Sequence, residues 1–314
     1  MAAGARAYVA SKFAFELDGD GVLGFLNSAE GGGLKTEVVD YKQGRLVDVW
    51  RQVGRPKFED ITIKVGMGMS ECFYKWISDF FNRKVSRKNG GIVMADFNYK
   101  QRARRSFIDA LISEVQMPAL DGASKEAAFM TVKLVPEGMT YETITGDAKV
   151  ESPESLRQPN KMWHAANFRF AVDGFEAAFA RTTKIDGWSI KQQILDYPSG
   201  NQRLPLKIPG RLEYPQSLSV YIPAVDAEAV IEQAQKRLLD YDAPPQGGMT
   251  GVIELRAPDK STLCSINLAG VDIVSAEPQK SEASAETLAM VKVVIQCESM
   301  RFTYGSGGGG GGAA

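Results

Sequence analysis

Histidine is nearly absent from this chain; His164 is the single one. It sits in the polar stretch QPNKMWHAAN, and a catalytic or metal-binding histidine needs partners at defined spacing that this stretch does not supply. Cysteine is almost as scarce. Cys72, Cys264 and Cys297 are an odd count without CxxC spacing, which argues against a disulfide framework or a zinc site and leaves buried free thiols as the expectation. No run of about 20 apolar residues occurs, so no transmembrane helix and no membrane insertion are expected. The opening MAAGARAYVASKFAF lacks the apolar core of a secretory signal, so folding in the cytoplasm is expected. Neither sign of charge dominates. The formal net charge is -1, which gives no global attraction to nucleic acid or a membrane surface.

Motifs of chemistry are missing as well. Gly66-Met-Gly68-Met-Ser70 lacks the GK[ST] ending of a phosphate loop and the GxSxG of a nucleophile elbow. A strand-to-helix turn is the better reading. No acid pair stands in an apolar setting, and neither HExxH nor an Asp-rich metal loop occurs. No catalytic, cofactor-binding or metal-ligating residue is assigned, and no enzyme activity is expected.

What is present is an ordinary globular composition, 44% hydrophobic and 24% charged over 314 residues. That length suits two domains of about 150 residues each. The chain also says the same thing twice. Phe13-Ala-Phe15-Glu-Leu17-Asp18-Gly19 and Phe168-Arg-Phe170-Ala-Val172-Asp173-Gly174 both alternate and end in a hairpin-turn signal. Gly33-Leu34 to Asp40-Tyr41 and Gly44 run parallel to Gly187-Trp188 to Asp196-Tyr197 and Gly200. Gly54-Arg55 and Gly210-Arg211 keep the offset, and strands at Ile61 and Leu218 follow after a slip of one residue.

Helical spacing comes next in each half. Ser70 is read as an N-cap before the apolar stripe Phe73, Trp76, Ile77, Phe80 and Phe81. Asp226 is read as the cap before Val230, Ile231, Ala234 and Leu238. Trp76, Phe80, Val230 and Leu238 are predicted to be buried. Gly90-Gly91 and Gly247-Gly248 are predicted to end these segments. Strands then return at Ile92–Met94, Phe107–Ile112 and Phe129–Val135, and at Val252–Leu255, Cys264–Val274 and Met290–Gln296. The reading is a mainly β fold, a barrel or sandwich with one flanking helix per domain. Domain 1 spans 8–142, a linker 143–166, domain 2 167–304, and a Gly-rich tail expected to be disordered 305–314. The competing reading is two unrelated α+β domains that share common turn residues.

One local charge feature stands out. Arg83, Lys84, Arg87, Lys88, Lys100, Arg102, Arg104 and Arg105 crowd together with Asp96 as their only acid. The matching stretch of the second half, PDKSTLC, is far less basic. A solvated face or a dock for an acidic protein is favoured over phosphate binding.

The run Gly54-Arg55-Pro56-Lys57-Phe58-Glu59-Asp60-Ile61-Thr62-Ile63-Lys64-Val65-Gly66, with Phe73-Tyr74-Lys75-Trp76-Ile77 behind it, resembles the tail tube proteins of contractile-tailed phages and contractile injection systems. Phe13 to Gly19, Glu37 to Tyr41 and Val132 to Gly138 fit the same scheme, so the resemblance covers nearly all of 8–142. The second half fits without the Pro-Lys-Phe and Trp signatures. The family's usual member is one domain, so tandem duplication is the departure.

The resemblance implies a structural subunit of the inner tail tube. Its rings would stack around a lumen that conducts DNA or effector cargo without sequence-specific binding. Two domains per chain imply trimeric, pseudo-six-fold rings. The implied partners are other copies of itself, a sheath protein, and baseplate, tube-initiation and terminator proteins. Assembly in the bacterial cytoplasm and residence in a virion tail or injection particle follow. Two loops are expected to touch the next ring: Gly44, Arg45, Trp50, Gly54, Arg55 and Pro56 in one, and Gly200, Arg203, Gly210 and Arg211 in the other. The basic cluster Arg83, Lys84, Arg87, Lys88, Arg102, Arg104 and Arg105 would face the sheath. Alternatives are a tube initiator or hub with two tube-like domains, or a tandem β ligand-binding module.

Overall fold

The computed structural model describes residues 12–42, 44, 49–150, 163–239, 248–279 and 288–305. The tail residues 306–314 and half of the expected linker, 151–162, lie outside the described residues, as do Arg45 and Gly247. The chain is mainly β, with a nearly closed barrel-like sheet and few helices. The first half contributes Lys12–Leu17 (β1), Gly21–Leu26 (β2), Ser28–Gly31 (β3), Leu34–Tyr41 (β4), Trp50–Phe58 (β5) and Ile61–Val65 (β6). After the helix Glu71–Phe81 (α1) come Lys88–Ala95 (β7), Gln101–Met117 (β8), Leu120–Asp121 (β9), Met130–Val135 (β10) and Gly138–Thr143 (β11). The second half contributes Phe168–Val172 (β12), the single turn Glu176–Phe179 (α2), Lys184–Ile185 (β13), Trp188–Tyr197 (β14), Leu206–Glu213 (β15) and Leu218–Pro223 (β16). The helix Glu228–Leu239 (α3) precedes Met249–Arg256 (β17), Thr262–Pro278 (β18), Met290–Gln296 (β19) and Ser299–Tyr304 (β20).

The order of pairing in the first half is β1-β7-β8-β10-β6-β3, with β11 also on β8. In the second half it is β12-β17-β18-β19-β16-β13, with β20 also on β18. Registers recur too. Ile61 faces Leu134 as Leu218 faces Ile295, and Gly138 faces Ile108 as Ser299 faces Ala269. Ala29 faces Ile63 as Ile185 faces Val220, which makes Gly31 the counterpart of Gly187. The expected match of Gly33 with Gly187 is corrected on that ground. Alternation puts one face of each strand inside, as with Phe15 and Leu17 of β1 or Phe170 and Val172 of β12. One continuous core holds side chains of both halves.

Several local expectations are corrected. Asp173-Gly174 leads into α2, not into a second hairpin strand. Gly90 and Gly91 lie inside β7 and do not end the helical segment. Ser70 stands at the N-cap position of α1, but its hydroxyl makes no cap bond. The buried Tyr74 hydroxyl takes over locally, accepting from Met69 N–H at 3.2 Å and donating to Gly66 O at 2.9 Å. Asp226 belongs to a 3-10 turn, Ala224–Asp226, and ion-pairs with Arg181 instead of capping α3. Residues 144–150 and 163–166 of the expected linker pack on the first half. Val150 and Trp163 are buried, and Ala128 N–H donates to Trp163 O at 3.0 Å.

The stripe of α1 is buried as expected, Trp76 and Phe80 included, and so is Val230 of α3. Leu238 is not; 48% of it is exposed. The two halves meet edge to edge. Trp188–Lys191 of β14 pair with Met117–Glu114 of β8, and β13 pairs with β9. Lys191 reaches Glu114 at 3.4 Å across that seam. Beside it, Glu137 accepts the Lys207 N–H at 2.8 Å and ion-pairs with Arg87, which also donates to Lys207 O at 2.6 Å.

Trp76→Ala should lower unfolding free energy by about 3–5 kcal/mol, because a large enclosed ring leaves a cavity. Its indole N–H to Ser86 O, 2.9 Å, is lost as well. Urea denaturation measures this, and a loss below about 1 kcal/mol would place the helix stripe outside the core. Glu137→Ala should cost about 1–3 kcal/mol, because it strips the acceptor from a part-buried backbone N–H. The same titration followed by a probe at the seam between the halves reads it; an unchanged midpoint would mean that this clamp holds nothing.

Candidate functional site

The chain's chemistry lies at its strand edges. Hairpin β4–β5 forms a two-stranded sheet of its own, apart from the two large ones. Every residue of β4 is exposed, including Leu34, Val38, Val39 and Tyr41, and Trp50 and Val53 on β5 are exposed with them. Hairpin β14–β15 has the same build. Thr36 faces Pro56 and Val38 faces Val53, with the register shifting between them; Gln192 faces Leu212 and Ile194 faces Pro209 with the same shift. At this shared bulge a side chain on Gly54 would meet Glu37 O at 2.8 Å, and one on Gly210 would meet Gln193 O at 3.0 Å. The close backbone approach therefore excludes a side chain at Gly54 without a shift and leaves one at Gly210 tightly placed. Asp40–Arg51 at 3.4 Å and Asp196–Lys207 at 2.5 Å are cross-strand ion pairs at equivalent places.

The expected ring-contact loops are thus corrected to hairpins. Trp50, Gly54, Arg55 and Pro56 lie in β5, and Gly210 and Arg211 in β15, because each segment finds a strand to pair with. Gly44, Gly200 and Arg203 occupy the turns at the hairpin ends. Arg45 is outside the described residues.

The two hairpins differ in what they touch. β14 extends the first half's sheet through β8. The matching segment of the first half, Gly32 to Lys35, has no described strand along that edge. The matching segment of β18, Ser275–Pro278, pairs with β19 on one side, and no described strand covers the other. Among the described residues, one complete junction and two complementary edges without a partner strand therefore sit on one chain. The sequence names these edges nowhere, since an edge is a property of pairing and not of composition.

Most of the basic cluster is spent inside the chain. Arg102 holds Asp96 at 2.7 Å, Arg104 holds Glu16 at 3.0 Å, Lys100 holds Asp147 at 2.5 Å, and Arg105 donates to Gly31 O at 2.9 Å. Arg87 is the Glu137 partner. Arg83 lies over the Tyr214 ring at 5.7 Å, and Lys84 stands 3.5 Å from Asp79. Lys88 is half-buried in β7. Acids distant in the chain, Glu16, Glu137 and Asp147, thus pair with members of a cluster whose own stretch of sequence holds only Asp96. Burial works to raise the Asp96 carboxyl, but the Arg102 hydrogen bond and the N–H groups of Lys100 and Asn98 outweigh it and hold the group low. Glu16 goes the other way, raised by burial more than Arg104 lowers it. His164 joins an isolated bridge to Ala127.

Comparison with known proteins adds the following. Residues 9–140 match the family model of the T4-like virus tail tube protein gp19. No curated protein matches the chain. Among solved structures, it is similar to a chain of the sheath–tube complex of the PVC extracellular contractile injection system in its extended state. That likeness has 17% identity and a TM-score of 0.39, over 45% of this chain and 95% of that one. It is also similar to a chain of the anti-feeding prophage tube-terminating cap, at 19% identity and a TM-score of 0.40, over 46% of this chain and 100% of that one. A chain of the anti-feeding prophage baseplate gives 15% identity and a TM-score of 0.40, over 44% and 97%. On the family match, residues 9–140 of this mainly β chain are similar to the T4-like virus tail tube protein gp19.

Proposed function

We propose that this chain is a tail tube subunit with two tube domains, and that three copies close a ring of approximate six-fold symmetry. The observation that carries this is the junction inside the chain. There, Trp188–Lys191 of the second half add a strand to the first half at Glu114–Met117. Repeating that step between copies sets Gly32–Lys35 of one chain against Ser275–Pro278 of the next. Leu34 then meets Ala276 where Ile190 meets Val115, and Lys35 lies diagonal to Glu277, within reach of a cross-strand ion pair. Pro278, which cannot donate, falls at the end of the match, where a missing N–H costs least. Both open edges are removed by the same pairing, which is how sheet proteins avoid indiscriminate aggregation.

The rings would stack through the hairpin ends near Gly44 and near Gly200 and Arg203. The lumen would carry DNA or effector cargo held by no specific site. A sheath would surround the tube, docking at the members of the basic cluster that no distant acid neutralises, Arg83, Lys84 and Lys88, and baseplate, initiation and terminator proteins would close its ends. Such a protein is structural and needs no catalytic centre. Assembly would take place in the bacterial cytoplasm, before the particle is complete.

A reconstruction of the assembled protein without imposed symmetry tests this. The expected result is three chains per ring, with the two halves alternating around the lumen. Six chains per ring, with residues 168–304 away from the lumen, would overturn it; discrete trimers that never stack would assign the chain to a tube initiator.

A further inference from the structure

We propose that helix α3 seats on strand β11 of a second copy of this chain, a helix-on-strand contact separate from the edge pairing. It rests on the ring reading above, which supplies the neighbouring copy. The pattern is again laid out inside the chain. Helix α1 of the first half covers β20 of the second. Tyr74 stacks on Tyr304 at 4.0 Å between ring centroids and 12° between planes, and Phe81 lies on Phe302 at 5.6 Å. Ser78 Oγ donates to Phe302 O at 3.0 Å. Phe81 and Phe302 are both buried as a result.

Equivalent elements in the other two positions have no such cover among the described residues. Val230 and Ala234 are the buried residues of α3, spaced as Phe73 and Ile77 are in α1. That rotation puts Ile231, Gln235 and Leu238 where Tyr74, Ser78 and Phe81 stand. Met139 and Tyr141 of β11 face Phe107 and Arg105, as Met300 and Phe302 of β20 face Leu268 and Ile266. Leu238 is 48% exposed and Tyr141 is 62% exposed, against 2% for Phe302. These are large apolar groups left open on one helix and one strand, and their counterparts are sealed against each other. They do not cover one another within a chain, so the occupant is another copy, reached by repeating the step that carries the first half onto the second. Chemistry agrees: Leu238 and Ile231 offer aliphatic surface to the Tyr141 ring, and the Gln235 amide can donate to Tyr141 O as Ser78 does to Phe302 O.

The test is cysteine bridging in the full chain, with Cys72→Ser to remove the exposed thiol. Gln235→Cys and Thr143→Cys, which leave Leu238 and Tyr141 in place, are combined and treated with a short bis-maleimide, and the same sample is imaged by negative stain. Linked dimers and closed trimers, absent from either single variant, are expected. Rings that form without a link between chains would overturn this contact and leave the ring reading standing. A link within one chain would overturn it as well, and monomers without rings would overturn both. Independently, Leu238→Asp should raise the concentration for half-assembly at least about tenfold, the scale of one exposed leucine losing its burial. The melting temperature of the unassembled chain should not move, since the residue is on the surface there. Unchanged assembly of Leu238→Asp would also overturn the contact.

Discussion

A strand's edge carries backbone groups that must be hydrogen-bonded somewhere, and much else in this structure follows from where that happens. Within the chain, β8 is long enough to hold β7 and β11 along part of its length and β10 and β14 along the rest. It joins the two halves without a separate interface domain. The price of that economy is that, among the described residues, the matching stretch of β18 has a strand on one side alone, and one hairpin belongs to no larger sheet. The apolar side chains on that hairpin are exposed for the same reason.

The sequence made the strands and α1 legible because their signal is local. Ile61-Thr62-Ile63-Lys64-Val65 alternates over a single strand, and Phe73, Trp76, Ile77 and Phe80 recur at helical spacing, so each can be read from a handful of neighbours. Gly54 and Gly210 were visible as a recurring pair, but their cause was not. The carbonyls they make room for, Glu37 O and Gln193 O, are on the facing strand. The same distance in the chain hid the hairpins behind the appearance of loops, and hid the acids Glu16, Glu137 and Asp147 that neutralise the basic cluster. Leu238 was misread for a related reason. Apolar spacing reports that a face is to be covered, and does not say whether the cover belongs to the same chain.

Where the halves differ is as informative as where they agree. The first has strand β2 where the second has the short helix α2, and α1 carries five aromatic side chains where α3 carries none. Burial of Tyr74, Trp76 and Phe81 therefore concentrates apolar area on the first half's side of the internal seam, while α3 relies more on the Arg237–Asp272 pair at 2.9 Å. A rim salt bridge of that kind contributes less than a buried ring.

That seam has a consequence for mass action. Two halves joined by a shared core and one continuous chain face each other at a fixed effective concentration, whatever the protein concentration around them. In a ring built from such chains, every second junction exists before any encounter takes place. Closure then demands the meeting of three bodies instead of six, so the onset of ring formation would follow a lower power of concentration. A sheet edge that must wait in the open would do so for a shorter time.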